Sequence, residues 1–346
     1  MKINRRELLT SLVLVFLSGI ATKGSAAPRP APENEFDAAR LQAQIERIAQ
    51  SVGGTVGVGI RHLETGHEMY VNQRDHFPMA SLFKLTVAVQ LLTLVEQNAV
   101  SLDKIIVVGA PDLRPGSSKL ATHFRGPQSL SVLQLLEAML IDSDNTATDI
   151  LWKEAGGAKA IKARLVRHGI TGLSVDRPTA TLIPVAQGIG EFAADTEMTP
   201  ARLKALRSQV PREQRNSGIA TFLNDKRDTT TPVAIVELLS KIWRSEALGA
   251  KQTALMLDIM YRCSTGKARL RAGLPRATTV AHKTGTLQPS VTNDAGIIRL
   301  PGRGGNLIVV VLIKGSTKAL VDQERAIADI ARVIYDHFVS IKGRAN

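Results

Sequence analysis

The sequence predicts an α/β fold of the α+β kind in two lobes: a five-stranded sheet assembled from both ends of the chain, and a helical middle. Three observations carry this expectation. Two strand-like stretches and a helix lie near the start. Three strand-like stretches and a helix lie near the end, and the residues between are patterned mostly as helix. The composition supports a substantial core, because 44% of the 346 residues are hydrophobic and 22% are charged. That balance excludes a largely disordered chain.

Taken in order, residues 1–27 read as an export signal. Lys2, Arg5 and Arg6 make a basic start, an uncharged run follows from Leu8 to Thr22, and the small residues Ser25-Ala26-Ala27 precede Pro28. The run is shorter than the roughly 20 residues that cross a bilayer, so cleavage is expected rather than a retained anchor. Arg5-Arg6 ahead of Leu8-Leu9 resembles a twin-arginine signal, and both export routes stay open. No cysteine lies near the cut, which excludes a lipid anchor there. Residues 28–36, with Pro28, Pro30 and Pro32, form an extended leader.

A single domain is expected over 37–346, with a sheet lobe from 37–77 and 230–346 and a helical lobe from 78–229. Leu41, Ile45 and Ile48 recur at helical spacing after Asp37, which predicts a helix from Asp37 to about Gln50. Gly53 to Asn72 reads as two strands turning at Glu64-Thr65-Gly66. Gly53, Gly54, Gly57 and Gly59 suit strand turns and do not make a dinucleotide loop, since the third glycine and the following helix are missing. A strongly apolar helix is predicted over Ala80–Asn98, then helices over Ser131–Ile141, Asn145–Glu154, Ala158–His168, Pro232–Trp243 and Lys251–Arg262. Strands follow near Thr279–Thr284, Asp294–Leu300 and Leu307–Lys314, and a last helix over Ala319–Ser340.

Charge and rare residues narrow the function classes. The net charge is +13, about +10 after signal removal, but Lys and Arg are scattered and aromatics are 4% of the chain. No basic stripe with interleaved aromatics marks a nucleic-acid site, and the charge suits solvation beside an anionic cell envelope. The single cysteine, Cys263, excludes an internal disulfide and a thiolate zinc cluster. The seven histidines show neither HxxxH nor HExxH spacing, so no metal site is expected. No GxSxG elbow points to an α/β-hydrolase.

Three short motifs carry chemistry. Ser81-Leu82-Phe83-Lys84 opens the apolar helix, where residues three apart share a face and a desolvated lysine can take the proton of a serine hydroxyl. Backbone N–H groups at a helix start are also free to hold an oxyanion. Ser143-Asp144-Asn145 lies between two predicted helices, and Lys283-Thr284-Gly285-Thr286 lies on a predicted strand. SxxK, SDN and KTG in this order form the signature of class A β-lactamases and penicillin-binding proteins. Asp144-Asn145-Thr146-Ala147, Asp228-Thr229-Thr230-Thr231-Pro232, Arg271-Ala272-Gly273-Leu274-Pro275 and Asn293-Asp294-Ala295-Gly296 extend the likeness across roughly residues 37–338. The chain thus resembles the class A β-lactamases and their close relatives among penicillin-recognising serine hydrolases.

The resemblance implies an antiparallel sheet flanked by helices, with no cofactor. It makes Ser81 the nucleophile, Lys84 its proton acceptor, and Ser143, assisted by Lys283, the donor to the leaving nitrogen. Asn145 would bind the substrate amide, while Lys283, Thr284 and Gly285 form the strand motif that receives the substrate carboxylate. The backbone N–H groups of Ser81 and Thr286 would form the oxyanion hole, and Arg269 is the candidate arginine supporting the carboxylate. His282, beside this strand, suits structural packing or the pocket wall.

One departure bears on the activity. In the family an Ω loop opens with an arginine, closes with an aspartate and carries a deacylating glutamate two residues after the arginine. Here Arg177 and Asp228 match the ends, but Thr179 stands where the glutamate is expected and Ile183 where a following asparagine belongs. Counting back from Asp228 reaches Arg215, again no carboxylate. The loop spans 177–228, far longer than the family's usual fifteen or so residues. Glu191, with Asp195, Glu197 and Glu213 nearby, could substitute as base or could be a solvated loop acid. The expected protein is an exported, periplasmic or secreted monomer without nucleic-acid partners or stable membrane insertion. Its substrate is a small β-lactam or a peptidoglycan stem peptide. Three activities stay open: a slow β-lactamase, a D-alanyl-D-alanine peptidase, or a penicillin-binding sensor with little turnover.

Overall fold

The computed structural model of this chain describes residues 37–288 and 290–343, so the expected signal and leader lie outside the described residues. α1 (Ala38–Gln50) starts where the Asp37 carboxylate accepts the Arg40 amide at 2.9 Å, an N-cap, and it buries Leu41 and Ile45 one turn apart. β1 (Thr55–His62) and β2 (Glu68–Val71) form a hairpin. β3 (Phe77–Pro78) then pairs with β6 (Thr229–Thr230), tying together the two places where the chain enters and leaves the helical lobe.

That lobe contains α2 (Lys84–Glu96), the one-turn α3 (Lys119–Thr122), α4 (Val132–Ile141), α5 (Asn145–Glu154) and α6 (Gly157–Arg167). A small ribbon of β4 (Ile105–Val108) and β5 (Gln128–Ser131) flanks it. The chain returns through α10 (Pro232–Trp243) and α11 (Ala250–Tyr261) to β7 (Val280–Leu287), β8 (Val291–Arg299), β9 (Asn306–Lys314) and α12 (Leu320–Gly343). The main sheet runs β2-β1-β9-β8-β7 with every pair antiparallel.

Alternation along the strands feeds two cores. Val56, Val58, Ile60, Val309, Val311 and Ile313 pack with α1 and α12, whereas Val310, Leu312, Ala281, Ala295 and Ile297 belong to the core shared with α2, α10 and α11. Gly57 and Gly59 lie inside β1 rather than at a turn. A Cβ on Gly57 would come within 2.5 Å of the Phe77 ring, and one on Gly59 within 2.7 Å of Val236 Cγ2. Their missing side chains let the hinge region and α10 press on the sheet.

Two further expectations change. The helix predicted over Ala80–Asn98 is a 3₁₀ turn, Ala80–Phe83, running into α2. The 177–228 segment is largely helical: α7 (Thr179–Ala186), α8 (Pro200–Gln209) and α9 (Arg212–Asn224). Ala180, Ile183, Met198 and Leu203 bury a small core of their own beneath it, with Ile189, Phe192 and Leu206 against them. An insert with its own apolar contacts need not remain a loop.

Candidate active site

Ser81 sits in the 3₁₀ turn at the head of α2 and faces a cavity of about 510 Å³ between the lobes. Ala80 before it has φ 47°, a left-handed conformation that costs a non-glycine residue about 1–3 kcal/mol. The surroundings hold it there. Asn293 donates from Nδ2 to the carbonyls of Pro78 (2.9 Å) and Met79 (3.1 Å), and the Met79 amide donates to Asp228 O at 2.9 Å. Strand β7 passes so close that a Cβ on Gly285 would lie 2.4 Å from Met79 O. Gly285 is therefore a packing requirement of the turn carrying Ser81.

Lys84 follows Ser81 by three residues, and in a 3₁₀ turn such side chains eclipse. Its amine nevertheless bonds to the second motif: Ser143 O at 2.6 Å, Asn145 Oδ1 at 2.8 Å and Ser143 Oγ at 3.2 Å. No hydrogen bond joins it to Ser81 among the described residues. Burial, then the Lys283 charge, depresses the Lys84 pKa well below the usual lysine range. Two of its three partners are pure acceptors. A neutral Lys84 therefore has two N–H groups for those two acceptors and one lone pair left to accept a proton.

Ser143 is itself left-handed, with φ 59°. Its Oγ also accepts from Lys283 Nζ at 2.9 Å, so one hydroxyl bridges two fully buried lysines. Burial lowers the Lys283 pKa to about 8. Asp144, between Ser143 and Asn145, caps α5 through the Ala147 amide and holds Ser118 Oγ and the Leu120 amide at 3.0–3.1 Å. It is structural. Asn145 donates one Nδ2 proton to Pro115 O at 2.8 Å and lines the cavity wall.

Thr286 lines the cavity opposite Asn145 on the β7 side. Arg269 does not reach the cavity as a free charge. It is buried against the sheet, donating to Glu324 Oε1 (3.1 Å), Gly285 O (3.2 Å), Asn293 O (2.9 Å) and Thr286 Oγ1 (2.7 Å). Thr284 Oγ1 shares a 2.6 Å hydrogen bond with Thr265. His282 is fully buried beneath the strand, with Nδ1 2.8 Å from Asp294 Oδ1. Burial pulls its pKa down, but Asp294, together with Cys263, more than offsets this and lifts it to about 9.

The two ends of the Ω segment meet. Arg177 Nε donates to Asp228 Oδ2 at 2.6 Å, both groups being buried. Thr179 lines the cavity where a glutamate was sought, and no carboxylate joins it in the lining. Glu191 lies elsewhere: it is exposed and held by Arg227 Nη2 at 2.5 Å and Arg177 Nη1 at 3.4 Å. The structure does not bring it to Ser81, and Asp195, Glu197 and Glu213 are likewise outside the lining.

The acid that sequence reading passed over is Asp149, one helical turn after Asn145 on α5, a spacing that could have flagged it. It is buried and saturated. Oδ1 accepts Thr179 N (2.7 Å) and Oγ1 (2.8 Å), while Oδ2 accepts Ala180 N (2.9 Å) and Arg114 Nε (3.0 Å). A carboxylate so engaged positions the segment and has no lone pair spare for a water. Arg207, Arg212 and Arg215 at the cavity wall were also missed as site residues, and no local signal distinguishes them from other surface arginines. Among the described residues no group of acids, histidines and cysteine could hold a metal, and no helix is long and apolar enough to cross a membrane.

Fold and site together place the chain among active-site-serine hydrolases with two lobes around a nucleophile turn. It belongs to the beta-lactamase enzyme family, which its residues 40–338 match. It is 30% identical over 302 residues to the extended-spectrum beta-lactamase PER-1 of Pseudomonas aeruginosa, covering 85% of this chain and 86% of that one. It is 25% identical over 308 residues to beta-lactamase VEB-1 of the same organism, covering 87% and 91%. Among solved structures, a beta-lactamase from Chitinophaga pinensis superposes with a TM-score of 0.70 at 27% identity, over 86% of this chain and 98% of that one. An ancestral class A beta-lactamase gives 0.69 at 29%, over 86% and 99%. The fold is that of a class A β-lactamase.

Proposed function

We infer that this chain is an exported serine hydrolase, acylated at Ser81 by β-lactams, that releases the acyl group slowly. Neutral Lys84 takes the Ser81 proton as Oγ attacks the lactam carbonyl. The amides of Ser81 and Thr286 hold the oxyanion, and collapse breaks the C–N bond. The nitrogen receives its proton from Ser143 Oγ, which is resupplied by the flanking lysines. Lys283, Thr284 and Thr286, the last steadied by Arg269, receive the substrate carboxylate, and Asn145 receives the side-chain amide. Water then cleaves the ester and restores Ser81.

The observation that carries this reading is the Lys84–Ser143–Lys283 relay behind a serine that opens on a cavity. The cavity's lack of a carboxylate supports slow release, since losing one catalytic base costs about 10²–10⁴-fold in its step. The same lack favours a second reading, a D-alanyl-D-alanine peptidase, whose acyl-enzyme need not be poised against penicillin. A penicillin-binding sensor is the limiting case of vanishing turnover.

The test is a time course of intact mass with benzylpenicillin, beside Ser81→Ala. A Ser81-dependent adduct that decays over minutes to hours is expected. Rapid return to free mass would reject slow release, and a permanent adduct together with D-Ala release from a peptide would favour the peptidase. No adduct at all would sink the shared mechanism.

A further inference from the structure

One wall of the cavity is built by the insert. Leu182, Ile183 and Ala186 of α7 supply an apolar shelf, and Arg207, Arg212 and Arg215 from the α8–α9 corner stand with it. Nothing acidic balances them: the lining contains three arginines and no Asp or Glu. None of the three is in an ion pair, and Arg207 and Arg212 are exposed, with guanidinium groups that no protein acceptor occupies among the described residues. Arg215 is half-buried and braces the corner, donating from Nη1 to the carbonyls of Arg207 and Val210.

The position of this cluster is enforced by backbone contact. A Cβ on Gly188, at φ 68°, would lie 2.0 Å from Arg215 O, and one on Gly218 would lie 2.7 Å from Gly188 Cα. The chain after α7 therefore presses on α9 without side chains between, which sets Arg212 and Arg215 at the cavity edge. They flank Glu213 in the first turn of α9, but Glu213 is exposed and lies outside the cavity lining, so it puts no carboxylate beside them in the cavity. Three uncompensated guanidinium groups sharing a cavity with an apolar shelf suit an anion carried on an apolar stem.

The ligand's first anion is already assigned to the β7 side, and Asn145 holds its amide between the two walls. We propose that the insert adds an anion subsite for the far end of the acyl side chain, so that the preferred acyl donor carries a second carboxylate there. This rests on the Ser81 acylation reading and specifies its substrate class. A β-lactam and a peptide ending in D-Ala-D-Ala can both present that group.

The test compares two matched pairs: phenylacetyl penicillin with its para-carboxylate analogue, and Nα,Nε-diacetyl-Lys-D-Ala-D-Ala with its Nε-succinyl analogue. Acylation rate per unit concentration is read from intact mass for the penicillins, and D-Ala release for the peptides. The carboxylate member should react about three- to tenfold faster in at least one pair, and that pair identifies the source. The preference should shrink in about 0.5 M salt, fall to about one in Arg207→Gln/Arg212→Gln, and invert in Arg207→Glu/Arg212→Glu, all at exposed positions. Equal rates within both pairs, or a preference that survives the double Gln variant, overturn the subsite while leaving Ser81 acylation standing. Absence of any Ser81-dependent reaction in all four substrates overturns the parent reading, and this one with it.

Discussion

At the scale of single residues, the two lysines set opposite limits on pH. Raising pH through the depressed Lys84 pKa creates the amine that accepts the Ser81 proton, so acylation should rise on the acid side. Raising it further through about 8 removes the Lys283 proton and with it the charge facing the substrate carboxylate, so acylation should fall. The rate of adduct formation with benzylpenicillin should thus be bell-shaped in pH. Lys283→Arg, whose guanidinium stays charged, should flatten the alkaline limb. A rate independent of pH from about 5 to 10 would contradict both assignments. Thr179 sets the other limit. Placing a carboxylate there beside Asp149 would oppose two charges, so Thr179→Glu is best paired with Asp149→Asn. That double variant should shorten the life of the penicillin adduct by at least about tenfold, read as recovery of free mass. An unchanged lifetime in a folded variant would show that a missing base is not what slows release.

Among elements, the 177–228 segment decides most. Its ends are joined by the buried Arg177–Asp228 pair, where burial pushes the Asp228 carboxyl up against the pull of Arg177. Asp228→Ala leaves Arg177 only its longer 3.4 Å contacts to Asp225 and Glu191 and strips the Asp176 and Arg177 amides of their acceptor, so it should cost about 1–3 kcal/mol in denaturant unfolding. Amide exchange across α7–α9 should accelerate with it, while β7–β9 remain protected. Uniform acceleration over the whole chain would mean that the latch is not local. Gly188→Ala tests the approach of α9 directly, because its Cβ meets Arg215 O and its backbone is left-handed. The clash should push α9 away and weaken substrate binding while the chemistry at Ser81 persists, a rise in KM without a matching fall in kcat.

For the whole molecule, the sheet lobe carries a pH-sensitive contact beneath the strand that bears Lys283. His282 and Asp294 are both fully buried and 2.8 Å apart between β7 and β8. Because the folded His282 pKa is raised to about 9 from an ordinary 6.5, its contribution is fully present below pH 6.5. It fades as pH rises through 9. The melting-temperature difference between the natural chain and His282→Gln should accordingly shrink between those limits; a difference constant with pH would show that the imidazole is neutral throughout.

Much of this architecture was legible in the linear pattern. Strand alternation and the apolar helix repeat are local properties, so the five main-sheet strands, the helices α1, α2, α4–α6 and α10–α12, and the order of the three motifs could be read before any contact was known, while α3 and the helices of 177–228 could not. The ends of the Ω segment, Arg177 and Asp228, were legible through the family resemblance. Tertiary structure alone decided where the side chains of those motifs go. It turned Lys84 toward Ser143 and Asn145 and spent Arg269 on the underside of β7. It also tied Glu191 to Arg227 away from the cavity and brought Arg207, Arg212 and Arg215 up to it. These outcomes depend on close approaches between distant segments, such as Gly188 against Arg215 and Gly285 against Met79. Spacing along one helix or strand does not encode such contacts, which is why several exposed charges look alike in sequence and differ entirely in the fold.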